Sequence, residues 1–381
     1  MTVEQIAMAR PEIAAEDIEA VVKVLRSGRL SQGPSLDEFE RKFARYVGAS
    51  DAAGICSGTA ALMVALNAAG VRPGDEVITV SLSFVATANA ITSIGAQPVF
   101  VDVRPDDLNM DPNEIEAAVT RRTKAIVPVH LFGQMADMEA ICNVARTCDL
   151  PVVEDACEAI GARTRAGYAG TVGTLGAFGF YANKPLTTAE GGMVVSNDAT
   201  LIKNCKLLRN QGRIDSVDHA SSVVGYSLRL SELHASLGAS QLDRLDRNLE
   251  QRRALAQAYR ELLDETEGLG LPAADCIEKQ HSWFTYPVKL PDRLAAARDQ
   301  IRYELADVGI DTRDYFVPIH LMPYYRDAYL RPLADGNKRP SLQVTESEST
   351  RLLALPLYPG LPPEKLEFIA CRLKKALDRR A

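Results

Sequence analysis

Ala52-Ala-Gly-Ile-Cys-Ser-Gly-Thr-Ala-Ala-Leu-Met-Val-Ala-Leu66 runs from an apolar strand (residues 52–56) through Ser57-Gly58-Thr59 into a helix carrying Leu62 and Leu66. The same alternation continues downstream. Apolar strands are predicted at 77–80, 98–101, 125–129 and 151–153, each separated from the next by a helical stretch. Strands and helices in strict alternation predict an α/β fold, a mostly parallel mixed sheet flanked by helices on both faces. Two further strands, 176–181 and 193–196, bracket Phe178-Gly-Phe-Tyr-Ala-Asn-Lys-Pro-Leu-Thr-Thr-Ala-Glu-Gly-Gly192. There an apolar, β-prone run delivers one lysine, Lys184, into a turn of proline, threonine and glycine.

Upstream, a helix opens near Pro11 with acidic residues in its first turn. It presents Ile18, Val21, Val22 and Leu25 as one apolar stripe and stops at Gly28. Residues 29–34 read as a loop, and a second helix follows through Phe39, Phe43 and Val47. From Leu201 helices dominate, with a break near 243–247, so the chain divides into a large unit, 1–245, and a small C-terminal α+β unit, 246–381. The small unit has a strand at 285–290, a helix at 294–308 and a last helix from Pro363. The polar stretch 335–339 reads as an exposed loop.

Composition narrows the function classes. The 381 residues carry a net charge of −7 with no basic tract, which argues against nucleic acid as a partner. No run of about 18 apolar residues suggests a membrane span, and the N-terminus lacks a signal-peptide layout, so a cytoplasmic location is expected. The seven cysteines form no Cys-x-x-Cys pair and no histidine sits at metal-ligand spacing, so neither a metal nor a disulfide framework is expected. His130, following a buried strand, reads as a core histidine. Neither a Gly-x-Gly-x-x-Gly nor a P-loop pattern occurs.

Open parallel sheets bind ligands beyond the carboxyl ends of their strands. Four such positions carry chemistry. Ser57-Gly58-Thr59 joins hydroxyls and a close-approach glycine to a helix N-terminus, which suits a phosphate; it equally suits a plain helix cap. Phe84 leaves the sheet after strand 77–80, where it can stack on a flat ring or fill the core. Asp155 ends a buried strand and asks for a cation, either a pyridine nitrogen or a protein arginine. Lys184 is either a solvated charge or a sheltered amine able to form a Schiff base. A phosphate cradle, a stacking ring, a buried acid and a lysine amine together are the contacts that pyridoxal 5'-phosphate (PLP) requires.

At these residues the chain resembles the DegT-type nucleotide-sugar aminotransferases of the aspartate-aminotransferase fold type I. The likeness runs through Arg26-Ser-Gly-Arg-Leu-Ser-Gln-Gly-Pro34, Ser57-Gly-Thr-Ala-Ala61, Val153-Glu-Asp-Ala156, Asn183-Lys184, Glu190-Gly-Gly192 and Leu355-Pro-Leu-Tyr-Pro-Gly360. The resemblance implies Lys184 as the Schiff-base lysine and catalytic base, Asp155 on the pyridine nitrogen, Phe84 against the ring, and Gly58 with Thr59 on the phosphate. It further implies transfer of an amino group from glutamate to a nucleotide-linked keto sugar, by a homodimer whose subunits share their active sites. Three positions depart from the family pattern. Gly179 stands where many members have a phosphate-binding serine. Glu158 stands where glutamine or histidine is common; it is expected to be protonated or turned towards the sugar, and it favours amination at C4 of a 4-keto-6-deoxy sugar, as in perosamine-synthase-like members. Ser227, in Gly225-Tyr-Ser-Leu-Arg229, replaces an asparagine that reaches the neighbouring subunit's phosphate. Arg229, Arg313 and His320 are the residues the resemblance offers for the substrate. Family dehydratases carry histidine in place of the lysine, and a regulatory PLP-binding protein would carry an added DNA-binding domain or a degraded site; Lys184 and the intact motifs speak for the transferase.

Overall fold

Runs of Val, Ile and Ala too apolar to tolerate solvent on either face build one central sheet. The computed structural model describes residues 5–213, 221, 223–329 and 340–380. Strands β1 (Asp51–Ile55), β2 (Glu76–Val80), β3 (Gln97–Val101), β4 (Thr123–Val127), β5 (Val153–Asp155), β6 (Leu175–Gly179) and β7 (Gly192–Ser196) lie in the order β1-β7-β6-β5-β4-β2-β3. Parallel bridges Ile126↔Val152 and Val129↔Asp155 join β4 to β5. Only β7 runs against its neighbours, β1 and β6. The sheet is therefore mostly parallel, as the alternation predicts, and separate apolar cores cover its two faces.

Because the parallel strands share a direction, their carboxyl ends meet along one edge, where chain exits become a site. The helix α1 (Ala15–Ser27) ends at Gly28 with φ +71°, a left-handed stop that glycine adopts without strain. α2 (Pro34–Val47) is capped from far away: the buried Glu232 carboxylate accepts the N–H groups of Gly33, Ser35 and Leu36 at 2.9, 2.8 and 3.0 Å. A Cβ on Gly33 would lie 2.7 Å from that carboxylate, so the cap requires glycine there. α3 (Gly58–Ala68) starts at Ser57, whose Oγ accepts the Ala60 N–H at 3.2 Å.

Ile18 and Leu25, two members of the apolar stripe, are more than half exposed, and the residues the first helix buries are Asp17 and Val24. Asp17 accepts hydrogen bonds from Arg244, Ser240 and Gln241, and that polar anchor rotates the apolar residues outward.

Helix α4 (Leu245–Leu263) spans two cores. Leu245 and Leu249 pack beneath the sheet, whereas Ala256, Tyr259 and Leu263 join a third core with the antiparallel pair β8 (Tyr286–Lys289) and β9 (Leu352–Leu355) and the last helix, α5 (Pro363–Asp378). The chain start crosses over: the Ile6 N–H donates to Gly309 at 2.7 Å, and Ile6 is buried in this third core. We propose a division at the start of α4, with residues around Ile6 counted to the C-terminal unit. The stretch 335–339, read as a loop, lies outside the described residues.

Candidate active site

The strand exits of β1, β2, β5 and β6 surround a cleft of about 410 Å³. Gly58, Thr59, Phe84, Asp155, Glu158, Gly179 and Lys184 all line it, from segments scattered over 127 positions of sequence (58 to 184 inclusive). Alternation along β5 sorts two neighbouring acids. Glu154 points away from the cleft and is satisfied internally by the N–H groups of Gly170, Val172 and Gly173 and by His130, whose Nε2 lies 2.7 Å from Oε2. His130 Nδ1 accepts the Ala136 N–H, so Nε2 carries the proton and donates it to Glu154. That histidine is a core residue.

Asp155 faces the cleft. Its Oδ2 accepts the Thr87 hydroxyl at 2.7 Å and its Oδ1 the Cys157 N–H at 3.1 Å, while Ser83 Oγ lies 3.0 Å from Thr87 Oγ1. Among the described residues, no protein cation is paired with Asp155. The carboxylate is thus held in place at the cleft wall by Thr87 and the Cys157 N–H.

Lys184 is sheltered. Its backbone N–H closes a turn onto Tyr181 at 2.9 Å, and its Nζ sits 3.8 Å from Glu158 Oε1 and 4.0 Å from the centroid of the Phe284 ring. The turn is built by crowding: a Cβ on Gly191 would lie 2.2 Å from Thr188 Oγ1, and one on Gly192 would lie 2.4 Å from Ser57 O. Only glycines let the lysine loop rest against the start of α3.

Glu158 is almost fully buried, and its Oε2 accepts the Phe132 N–H at 2.9 Å. Burial pushes its carboxyl above the ordinary glutamate range, against the pull of the Lys184 ammonium and the Phe132 N–H; the Asp155 charge adds to the rise. One Glu158 oxygen faces the lysine, 3.8 Å from its Nζ. Gly58 and Gly179 meet face to face, since a Cβ on Gly58 would lie 3.0 Å from Gly179 Cα and 3.1 Å from Cys157 Sγ. The Cys157 thiol, raised well above its usual range by burial and by Asp155, stays protonated and serves as packing. Phe84 is 59% exposed, which rules out a core role.

Four residues offered for substrate or phosphate lie apart from this lining. Ser227 and Arg229 bond to each other at 2.9 Å, on a segment beside the end of β1 where the Cys56 N–H donates to Leu228. Arg313 pairs with Asp311 at 3.0 Å. His320 is buried, with Nδ1 2.7 Å from Ser81 Oγ and Nε2 3.1 Å from Glu346 Oε1. Its burial lowers its pKa, against the opposing pull of Glu346. The cleft instead gains Phe284, Tyr315 and Phe316 from the C-terminal unit, residues that sequence reading missed. One signal existed: Trp283 and Phe284 are adjacent aromatics, and one core cannot readily take both.

A family model described as the DegT/DnrJ/EryC1/StrS aminotransferase family matches residues 11–374. The chain belongs to this family. It is 36% identical over 374 residues to the GDP-perosamine synthase of Caulobacter vibrioides, with 98% of each chain covered. Among solved structures, DesV of S. venezuelae is 36% identical with a TM-score of 0.86, over 96% of this chain and 94% of that one. The PLP form of a sugar aminotransferase from Streptococcus pneumoniae gives a TM-score of 0.92 at 27% identity, over 99% and 100% of the two chains. The enzyme is a PLP-dependent aminotransferase of nucleotide sugars. Its residues fit the cofactor: an unpaired, oriented carboxylate at Asp155, a sheltered amine at Lys184, and a helix N-terminus at Gly58 and Thr59 against which Gly179 packs without a side chain. No helix among the described residues is long and apolar enough to cross a membrane.

Proposed function

We propose that this aminotransferase moves an amino group from L-glutamate to C4 of a nucleotide-linked 4-keto-6-deoxy sugar. The observation that carries this reading is the Glu158 carboxyl, buried 3.8 Å from the Lys184 amine. Its raised proton affinity supplies a proton donor at the carbon that exchanges oxygen for nitrogen. The 36% identity to a GDP-perosamine synthase supports the same class of substrate.

PLP, when bound, supplies the electron sink for charge developing at the reacting carbon. Asp155 would hold the pyridine nitrogen, Phe84 the ring, and Gly58 with Thr59 the phosphate. Gly179 offers no hydroxyl, so backbone N–H groups at the start of α3 would carry more of the phosphate charge. Lys184 Nζ takes the proton from the donor's α-carbon and returns it on the far side of the transfer. Phe284 covers one side of that amine and excludes water.

The reading includes a cytoplasmic C2 dimer. Ile13, Ile18, Leu25 and Leu30 are each 47% exposed or more, an apolar surface that suits a second copy, and Ser227 and Arg229 lie outside the lining of this chain's own cleft. Light scattering should give twice the chain mass, and a fully active monomer would refute the shared site. For the reaction, a panel of nucleotide keto sugars is incubated with ¹⁵N-glutamate and the products are resolved by NMR. Label at C4 of a 6-deoxy sugar is expected. Label at C3, or no conversion of any 4-keto-6-deoxy sugar, overturns the proposal.

A further inference from the structure

Lys184 Nζ has two neighbours of opposite kinds: the Glu158 carboxyl at 3.8 Å and the face of the Phe284 ring at 4.0 Å. Phe284 begins a connected band of aromatic rings. Its ring lies 6.4 Å from Tyr315, which lies 4.7 Å from Phe316; Phe316 stacks on Phe132 at 6.2 Å and 9° and reaches Phe84 at 6.1 Å. Across the five side chains only Tyr315 carries a polar atom. Burial pushes that phenol up to about 12, so it remains a hydrogen-bond donor. The cleft thus offers a carboxyl and one phenol among otherwise bare aromatic surface.

A keto carbon brought to Lys184 has two ring neighbours. At C4 of a 6-deoxyhexose these are C3, bearing a hydroxyl, and C5, bearing a methyl. At C3 both neighbours bear hydroxyls, and one of them would be pressed unpaired against phenyl. We infer that Phe284 is a specificity-determining residue, admitting a methyl at C5 and disfavouring a hydroxymethyl, while Glu158 and Tyr315 take the hydroxyl at C3. This rests on the reading of the enzyme as a C4 aminotransferase. A buried hydroxyl without a partner loses its bonds to water, but an apolar pocket rejects an added hydroxyl only up to about 10²-fold, so a discrimination of roughly 10- to 100-fold is expected.

The test compares kcat/KM for two substrates on the same nucleotide, a 4-keto-6-deoxyhexose and its 6-hydroxy counterpart, with glutamate as donor. The wild type should favour the deoxy sugar by about 10-fold or more. Phe284→Leu should keep that ratio, and Phe284→Asn should shrink it to within roughly threefold, because its amide can pair with the hydroxyl. Equal use of both sugars by the wild type, with amination at C4, overturns this inference alone. So does an unchanged ratio in a folded Phe284→Asn enzyme. Amination at C3 ends both this inference and the functional reading; if Phe284→Asn does not fold, the wild-type ratio decides.

Discussion

The floor of the cleft and its aromatic wall are built by different rules. The floor residues Gly58, Asp155 and Lys184 stand where strands of one sheet end or just beyond them, so their convergence follows from the fold itself. The wall residues Phe284, Tyr315 and Phe316 come from beyond helix α4, and they are held against the floor by α4 and by direct contacts such as Ser282 Oγ to the Glu158 carbonyl and the Ile319 N–H to the Ser81 carbonyl. The Pro185 carbonyl, next to Lys184, accepts a hydrogen bond from Asn248 Nδ2 at 2.8 Å. Asn248 Oδ1 accepts Arg252 Nε at 3.0 Å, and Arg252 Nη1 donates to the carbonyls of Trp283, Phe284 and Leu357 at 3.0 to 3.3 Å. On the proposed function, chemistry belongs to the floor and selectivity to the wall, with α4 as one link between them.

Breaking the floor should cost the most. Lys184→Ala is expected to abolish turnover and the borohydride-reducible adduct seen by mass spectrometry; an adduct of unchanged yield would remove Lys184 from the reaction. Asp155→Asn keeps the shape but removes the charge. At about 4 Å and an effective dielectric near 20 that charge contributes roughly 4 kcal/mol, so kcat should fall by about 10³-fold. A fall of less than tenfold would show that the cation Asp155 faces needs no carboxylate.

Severing the link should act on the wall without touching the chemistry. Burial lowers the fully enclosed Arg252 guanidinium to about 10, and three carbonyls depend on it. Arg252→Met should therefore destabilise the protein by about 2–4 kcal/mol in urea unfolding, the cost of orphaned buried acceptors. Among molecules still folded, KM for the sugar should rise while the absorbance of bound cofactor stays as in the wild type. A loss of cofactor absorbance with an unchanged sugar KM would place Arg252 with the floor.

The two regions were also unequally legible. Ser57-Gly58-Thr59, Asp155 and Lys184 could be read because each follows a strand, and strand ends in a parallel sheet share an edge. Phe84 could be placed but not oriented, since an aromatic at a strand exit fits core and cleft alike; its exposure decides. Phe284 was hidden because hydrophobicity alone does not tell a cleft wall from a core. His320 shows the converse. A histidine near the substrate border reads as a ligand, yet Ser81 and Glu346 occupy both its ring nitrogens. The outward turn of Ile18 and Leu25 was hidden for a related reason, because the buried Asp17–Arg244 pair sets the rotation of their helix, and partners 227 positions apart leave no periodic trace.

Glu158 sits where floor and wall meet, and its titration gives the smallest but most discriminating effect. Its folded-state pKa is raised, chiefly by burial, so between the ordinary glutamate value and the raised one the folded protein binds the proton more tightly than the unfolded chain. The stability Glu158 contributes is then fully present below the unfolded pKa and is lost as pH rises through the folded pKa. Against Glu158→Gln, which does not titrate, the wild type should lose ground in urea unfolding as pH rises through that window. The Lys184 ammonium opposes the rise, so in Lys184→Ala the window should extend to higher pH. A wild type that gains stability relative to Glu158→Gln as pH rises would mean that the lysine outweighs burial. Glu158 would then be an ionised partner of the floor, not a protonated group offered to the sugar beside the wall.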